Sequence, residues 1–362
     1  MAAWPAGTSR PAAWAIGELP PADRSRPGPW QAYRLRMLRR RLLGRAIARR
    51  RELISIRDRT DKIVAGQILC LAVVRNEALR LPHFLAHHRR LGVDHFILVD
   101  NASTDGTADL LAGESDVSLF GAAASYRDSR FGLDWLNWLL MRHGHGHWCL
   151  VLDADELFVY PHWETRPLGA LAEWLDSRGR DAIPAMLLDL YPRGPLTAQE
   201  YRAGQDPLEI LEWFDSGNYI VQVQPRLRNL WIQGGVRTRA FFAADPRRSP
   251  TLNKVPFARW HWRHAWHNST HNLLPARRNA VFDETGGESI SGVLLHTKFL
   301  HVIAEKSAEE RVRGQHFADP ARHAAYYDAL IEGPVLHCSA SRRYHGWRQL
   351  EALGLMSRGG WV

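Results

Sequence analysis

Between residues 67 and 160 the chain alternates short, wholly apolar runs with stretches whose apolar positions recur every three or four residues. "QILCLAVV" (67–74), "DHFILVD" (94–100), "VSLF" (117–120) and "HWCLVLD" (147–153) read as strands, the first and last buried on both faces. Between them, "LRLPHFLAHHRRLG" puts Leu81, Phe84, Leu85, His88 and Leu91 on one helical face, with Gly92 as the stop. "STDGTADLLAG" opens a short helix with Ser103 or Thr104 as N-cap, and "SRFGLDWLNWLLMRHG" aligns Phe131, Trp135, Trp138, Leu139 and Arg142. Strands separated by helices of this length predict right-handed βαβ units and a mostly parallel, Rossmann-like sheet flanked by helices. A helix at about 167–178 and a strand "AIPAMLLDLYP" (182–192) continue the pattern. After them the alternation fades: residues 193–300 read as a sheet extension plus a lobe, and about 302–353 as helical.

With 362 residues the chain is long enough for one large α/β domain with an added lobe or for two modest domains, and at 45% hydrophobic and 23% charged, without the fixed repeat of a solenoid, it should have a real core. Cys70, Cys149 and Cys338 are widely separated, and two lie inside apolar runs. They form neither a disulfide framework nor a zinc site, and a reducing, cytoplasmic compartment is expected. No run approaches the ~18–20 apolar residues of a membrane span, and the N-terminus lacks a signal peptide's apolar region.

The formal charge of +9 is unevenly placed. Arg24 to Arg51 holds eleven arginines and no acid, so without those eleven the +9 falls to −2. A Pro-, Ala- and Arg-rich stretch runs to about Pro29 and then becomes "YRLRMLRRRLLGRAIARRRELISI", where Leu35, Leu38, Leu42, Ala46 and Ile47 recur at near-helical spacing. Two readings stay open: a basic amphipathic helix on an anionic membrane surface, or a helix laying one leucine stripe on the main domain. Nucleic acid is not expected, because no aromatic-interleaved basic face or known motif follows.

In a parallel sheet, ligands bind beyond the carboxyl ends of the strands. Those ends here are Arg75-Asn76-Glu77, Asp100-Asn101 and Asp153-Ala154-Asp155-Glu156, three acidic clusters on one edge. In an extended segment Asp153 and Asp155 point to the same side and can share one hard cation, Mn²⁺ or Mg²⁺, while Glu156 points away and bonds the following turn. Such a cation leaves charge over for a diphosphate. Arg127, Arg130, Arg237 and Arg239 are candidate phosphate donors, or surface arginines paired with nearby acids.

"CLAVVRNEALRLPHFLAHHRRLGVDHFILVDNASTDGT", followed by "VLDADE", resembles the family 2 glycosyltransferases of the GT-A type, more closely their family-92-like bacterial subgroup. The resemblance is strong over 67–160 and looser over 182–300, through "KVPFARW", "STH" and "LLHTKFL". It implies a GT-A domain at 63–300, with a nucleotide-binding half (67–160) and an acceptor-side half (182–300), after a basic tail and helix (1–62) and before a helical segment (301–362). It further implies inverting, metal-assisted transfer from a nucleotide-diphosphate sugar, often a UDP-sugar, to a glycan or lipid-linked acceptor, in the cytoplasm or on the inner membrane face. Carried over by position, Val74, Arg75 and Glu77 line the nucleotide pocket, Asp100 contacts the base, and Asp153 and Asp155 serve ribose and metal. His296 is the expected third metal ligand; His271, Arg237 and Lys298 are secondary or acceptor-side residues.

Inversion needs a general base. The family places an Asp or Glu near a Gly-Gly loop, but "QGGVRTRAFFAADP" has no acid before Asp245. Asp189, Glu209, Glu212 and Asp215 remain candidates, with Asp215 preferred. His143, His145 and His147 precede their strand and belong at its far end. Trp260, Trp262 and Trp266 stack on a sugar or fill a lobe core. A dinucleotide oxidoreductase is disfavoured because the first turn, Val74 to Ala78, contains no glycine. A sugar nucleotidyltransferase shares the sheet and the acidic pair but would usually carry a Gly-rich, lysine-bearing loop, and a non-catalytic membrane-associated scaffold is the third class.

Overall fold

A computed structural model describes residues 28–279, 289–313 and 324–362. The chain enters through α1 (Pro29–Arg49), runs along strand β1 (Ile54–Arg57) and begins its alternation with β2 (Ile68–Val74) and α2 (Leu81–Leu91). Then come β3 (His95–Asp100), α3 (Thr107–Gly113), β4 (Val117–Gly121), α4 (Leu133–His143), β5 (Trp148–Val151) and β6 (Glu156–Val159). Helix α5 (Leu168–Ser177) leads into β7 (Ala182–Asp189), followed by short strands β8 (Trp213–Asp215), β9 (Tyr219–Gln224) and β10 (Asn229–Gly234). After α6 (Gly235–Phe241) come β11 (Asn253–Arg259), β12 (Ala265–Asn268), β13 (Asn272–Leu274) and β14 (Gly292–His296). Helices α7 (Ile303–Arg313) and α8 (Ala324–Ile331), strand β15 (Ser341–Arg343) and α9 (Trp347–Ala352) close the chain.

Nine strands form one sheet in the order β1-β4-β3-β2-β5-β11-β7-β14-β6. β4, β3, β2 and β5 are parallel neighbours, as are β7 and β14, while β1, β11 and β6 run antiparallel to their partners. The fold is thus a mixed α/β, Rossmann-like sheet flanked by helices. The central parallel strands β2 and β5 are apolar throughout because they are covered on both faces. Ile68, Cys70 and Ala72 of β2 face one core with α2, and Leu69 and Leu71 face a second core with α4. Gly92 ends α2 with φ +97°, a left-handed cap that glycine adopts without strain.

Four expectations resolve at this level. α1 lays Leu35, Leu42 and Ala46 against Ala265, Leu274 and Ala276, so its leucine stripe is a packing face. The C-terminal segment is less purely helical than its pattern predicts, because β15 pairs antiparallel with β8. Trp260 and Trp266 are core residues packed with α4, whereas Trp262 is exposed. His147 Nδ1 lies 2.8 Å from the Gln67 carbonyl at the start of β2, which puts this histidine at the strands' amino end.

Candidate functional site

One cavity of about 460 Å³ opens at the carboxyl edge of the sheet. It collects residues from both halves of the sequence: Val74, Arg75, Glu77, Asp153 and Asp155 from the first, and Arg237, His271, His296 and Lys298 from the second. α7 supplies further wall through Lys306, Ser307 and Glu309, so the segment after residue 300 completes the cavity.

The Asp-x-Asp pair reaches it by a route different from the expected one. β5 ends at Val151 and β6 begins at Glu156, so Asp153 and Asp155 occupy a turn and are not a strand extension. The Glu156 backbone N–H donates to the Asp153 carbonyl at 3.1 Å, and the Thr297 N–H donates to the Asp155 carbonyl at 2.7 Å, pinning the turn to the end of β14. Carboxylate oxygens of Asp153, Asp155 and Glu156 then lie within 4.8 Å of one another. Glu156 accepts from the Asp153 N–H at 3.2 Å, as a residue serving the turn would. It also belongs to the acidic cluster, which the expected strand alternation had excluded: the turn breaks that alternation and folds its carboxylate back.

Lys254 is the residue this cluster requires and the sequence pattern misses. It stands at the amino end of β11, which is antiparallel to β5 and β7, so the strand's start meets their ends on one edge. Its Nζ donates to Asp153 Oδ2 at 2.8 Å and also to Glu156. One buried cation facing two carboxylates leaves an imbalance. Burial pushes the Glu156 pKa up, to about 8, despite the pull of Lys254. Desolvation would also raise the pKa of Asp153, but Lys254 outweighs it and the net direction is down. Asp153 keeps 52% of its side chain exposed against 1% for Glu156, so Asp153 is the open member of the pair.

Asp155 faces the second half of the molecule. The register of β14 on β7 places His296 beside Asp189. Accordingly, His296 Nδ1 lies 2.5 Å from Asp189 Oδ1, and its Nε2 lies 3.2 Å from Asp155 Oδ2. Burial would lower the His296 pKa, yet Asp155 and Asp189 together raise it. Desolvation would raise that of Asp155, but His296, then Arg80 and Lys298, hold it well below the usual carboxylate range. Arg237 Nε donates to Asp189 Oδ2 at 2.7 Å, while its Nη2 is buried with no partner among the described residues. Gly234 and Gly235 set α6 in this position: both have positive φ, and a Cβ on Gly234 would run into the Asn218 carbonyl. Lys298 is half-buried in the same cavity, and desolvation there lowers its pKa to about 8.

At the β2 end, Glu77 pairs with Arg80 at 3.0 Å and with Lys306, and Arg75 pairs with Glu309 at 3.1 Å. Asn76, at φ +52°, turns the chain here without glycine, a conformation asparagine tolerates. Asp100 stands behind the wall. Its Oδ2 accepts from the Ser103 N–H at 3.1 Å, its Oδ1 is buried without a partner among the described residues, and its neighbour Asn101 lines the cavity.

Two expected site residues lie elsewhere. Arg130 pairs with Asp134 at 3.0 Å and donates to the His267 carbonyl at 2.6 Å, bracing α4 against β12. Asp215 is buried outside the cavity, held by Arg239 Nε at 2.8 Å and by the Tyr191 hydroxyl, so it has no path to a substrate there. The sequence could not separate these from cavity residues, because the strand that carries Asp215 leaves the main sheet and pairs with β15.

The donor set fits a divalent cation. The carboxylates of Asp153, Asp155 and Glu156 form a group that could hold such an ion, hard oxygens suited to Mn²⁺ or Mg²⁺. Lys254 pairs with both Asp153 and Glu156, and His296, oriented by Asp189, lies against Asp155.

No protein-family model matches the chain, and no curated protein does. Solved structures with a partial likeness include 4-diphosphocytidyl-2C-methyl-D-erythritol synthase, 12% identical over 80% of this chain and 98% of its own, with a TM-score of 0.25. A protein described as a glucose-1-phosphate thymidylyltransferase from Bacillus anthracis is 11% identical over 71% of this chain and 98% of its own, with a TM-score of 0.31. UTP-bound UGPase from Acinetobacter baumannii is 11% identical over 60% of this chain and 78% of its own, with a TM-score of 0.26. Likenesses this distant carry no argument about what this chain does. Function has to be argued from the cavity.

Proposed function

We propose that the cavity binds a nucleoside-diphosphate sugar with a divalent cation, and that the chain transfers the sugar to an acceptor hydroxyl with inversion. The observation that carries this reading is the convergence of Asp153 and Asp155 with Arg80, Arg237, Lys254 and Lys298 in one cavity at the sheet's carboxyl edge. Carboxylates to hold a cation and cations to hold phosphate oxygens are the two requirements of a diphosphate leaving group. A bound Mn²⁺ or Mg²⁺ would neutralise charge developing on that diphosphate. Asp153, Asp155 and His296 are assigned to the cation. The unpaired Nη2 of Arg237 is assigned to the phosphates, as is Lys298. Val74, Arg75 and Glu77 take the nucleoside end, with Asp100 behind that wall, and His271 the acceptor side.

One observation favours a second reading, sugar nucleotidyl transfer. Six carboxylates line the cavity, and five of them, Glu77, Asp153, Asp155, Glu156 and Glu309, are already ion-paired. Transfer to a hydroxyl needs a base to take its proton. A sugar phosphate attacking a nucleoside triphosphate brings an oxygen that is already deprotonated, so it needs none.

Product analysis separates the two. With Mn²⁺, a panel of UDP-sugars should yield slow UDP release without acceptor. Pyrophosphate release from nucleoside triphosphates plus sugar 1-phosphates, with no UDP release, would select the second reading. Neither product, together with UDP binding that ignores EDTA, would remove both.

A further inference from the structure

The two faces of α1 have different characters. Its 21 residues include seven arginines and no acid. The inward face is fully engaged: beside the leucine stripe, Arg45 and Arg49 reach Asp134 on α4 at 3.0 and 3.8 Å. The outward face carries large apolar side chains in the open. Trp30 is 70% exposed, Tyr33 48% and Met37 42%, and Ile47 is exposed near the end of the helix at the border of the same face. The spacing 30, 33, 37 follows one helical stripe, and the rings of Trp30 and Tyr33 stack at 5.6 Å.

Around this stripe Arg34, Arg36, Arg40 and Arg41 are exposed. Burial, and then the charges of Arg263, Arg36, Arg40 and Arg277, lower the pKa of Arg39. The basic surface therefore extends past the helix to the turn after β11. There Trp262 is exposed, with the Arg263 guanidinium 4.4 Å over its ring.

A partner for this face must offer a field of negative charge and also an apolar layer deep enough for Trp, Tyr and Met. Nucleic acid supplies the charge and could stack on the rings, but it has no use for Met37 on the same stripe or Ile47 at its border. An anionic lipid surface meets both demands: arginine stems extend their heads to phosphates while aromatic and aliphatic groups enter the acyl boundary.

We propose that the outward face of α1 docks on an anionic phospholipid surface. This holds whatever the cavity transfers.

The test uses the full chain and sedimentation with phosphatidylcholine vesicles, with and without phosphatidylglycerol. Binding should require phosphatidylglycerol and weaken with salt. Each arginine near the surface contributes about fivefold, so Arg36→Gln/Arg40→Gln/Arg41→Gln should weaken partitioning on the order of 100-fold. Trp30→Ala/Tyr33→Ala/Met37→Ala keeps every charge and should still weaken it by roughly 10-fold or more. Both variants alter only outward side chains, so their thermal melts should match the parent's, which keeps a binding loss interpretable. Equal binding to both kinds of vesicle, or unchanged binding by either variant, would overturn the proposal. So would single-stranded RNA that binds the face and displaces the vesicles.

Discussion

Arg237 and Arg239 stand two positions apart on α6, and each pairs with an aspartate, yet only one belongs to a site. Arg237 holds Asp189 through Nε and keeps Nη2 unpaired at the cavity. Arg239 commits Nε and Nη2 to Asp215 and gives Nη2 to the Leu336 carbonyl as well. The Tyr191 hydroxyl and Ser341 close the rest of that second network. The difference shows that a buried acid–arginine pair is not itself a functional signal. What distinguishes the Asp189 pair is an incomplete set of hydrogen bonds on an arginine that lines the cavity, and a histidine that hands its orientation on to Asp155.

The comparison can be attacked from several directions. Both networks stand on a core with buried neutral histidines, and acid should unseat them together. Burial lowers the His87 pKa to about 4, so below the ordinary value near 6.5 the unfolded chain binds the extra proton first. That contribution is complete above pH 6.5 and is lost as pH falls through 4, by about 3 kcal/mol at pH 4. Urea midpoints across this range should show the loss, and His87→Gln should flatten it.

Breaking the sealed pair should affect stability alone. Asp215→Asn is expected to cost about 2–3 kcal/mol, the lower end of the buried-pair range because Arg239 is partly exposed. UDP affinity should remain at the parent value in isothermal titration; a fall would put Asp215 back in the site.

The open side should respond in the opposite way. Asp155→Asn should weaken Mn²⁺-dependent UDP binding by on the order of 100-fold, about 2.7 kcal/mol, beyond any fall in melting temperature from losing the charge that faces His296. An unchanged affinity would sink the cation assignment.

A smaller and sharper effect is expected from Arg237→Gln. It should narrow the preference for UDP over UMP by roughly 10-fold, the scale of one charge-assisted bond. If UDP and UMP weaken equally, Arg237 serves the fold through Asp189 and not the diphosphate.

Much of the first half was legible because its information is local. The predicted strands 67–74, 94–100, 117–120 and 147–153 meet β2, β3, β4 and β5 within two residues or so at each end. Val74, Arg75, Glu77, Asp153 and Asp155 reach one cavity because parallel strands must end on the same edge. The second half resisted. Asp189 was one acid among four, Asp215 was preferred to it, and Lys254 and Glu156 were not in the predicted site at all.

The sequence by itself determined the apolar runs, the intervening helices and hence an edge rich in carboxylates, since burial on both faces leaves a strand little choice of residue. It also determined that the positive charge gathers before residue 52. Tertiary structure alone decided which charges meet. An antiparallel β11 brings Lys254 to that edge, the β14 register seats His296 between Asp189 and Asp155, and the turn after β5 returns Glu156 to its neighbours. The contacts of Lys254 and His296 join residues 98 to 141 positions apart, and no local periodicity encodes them.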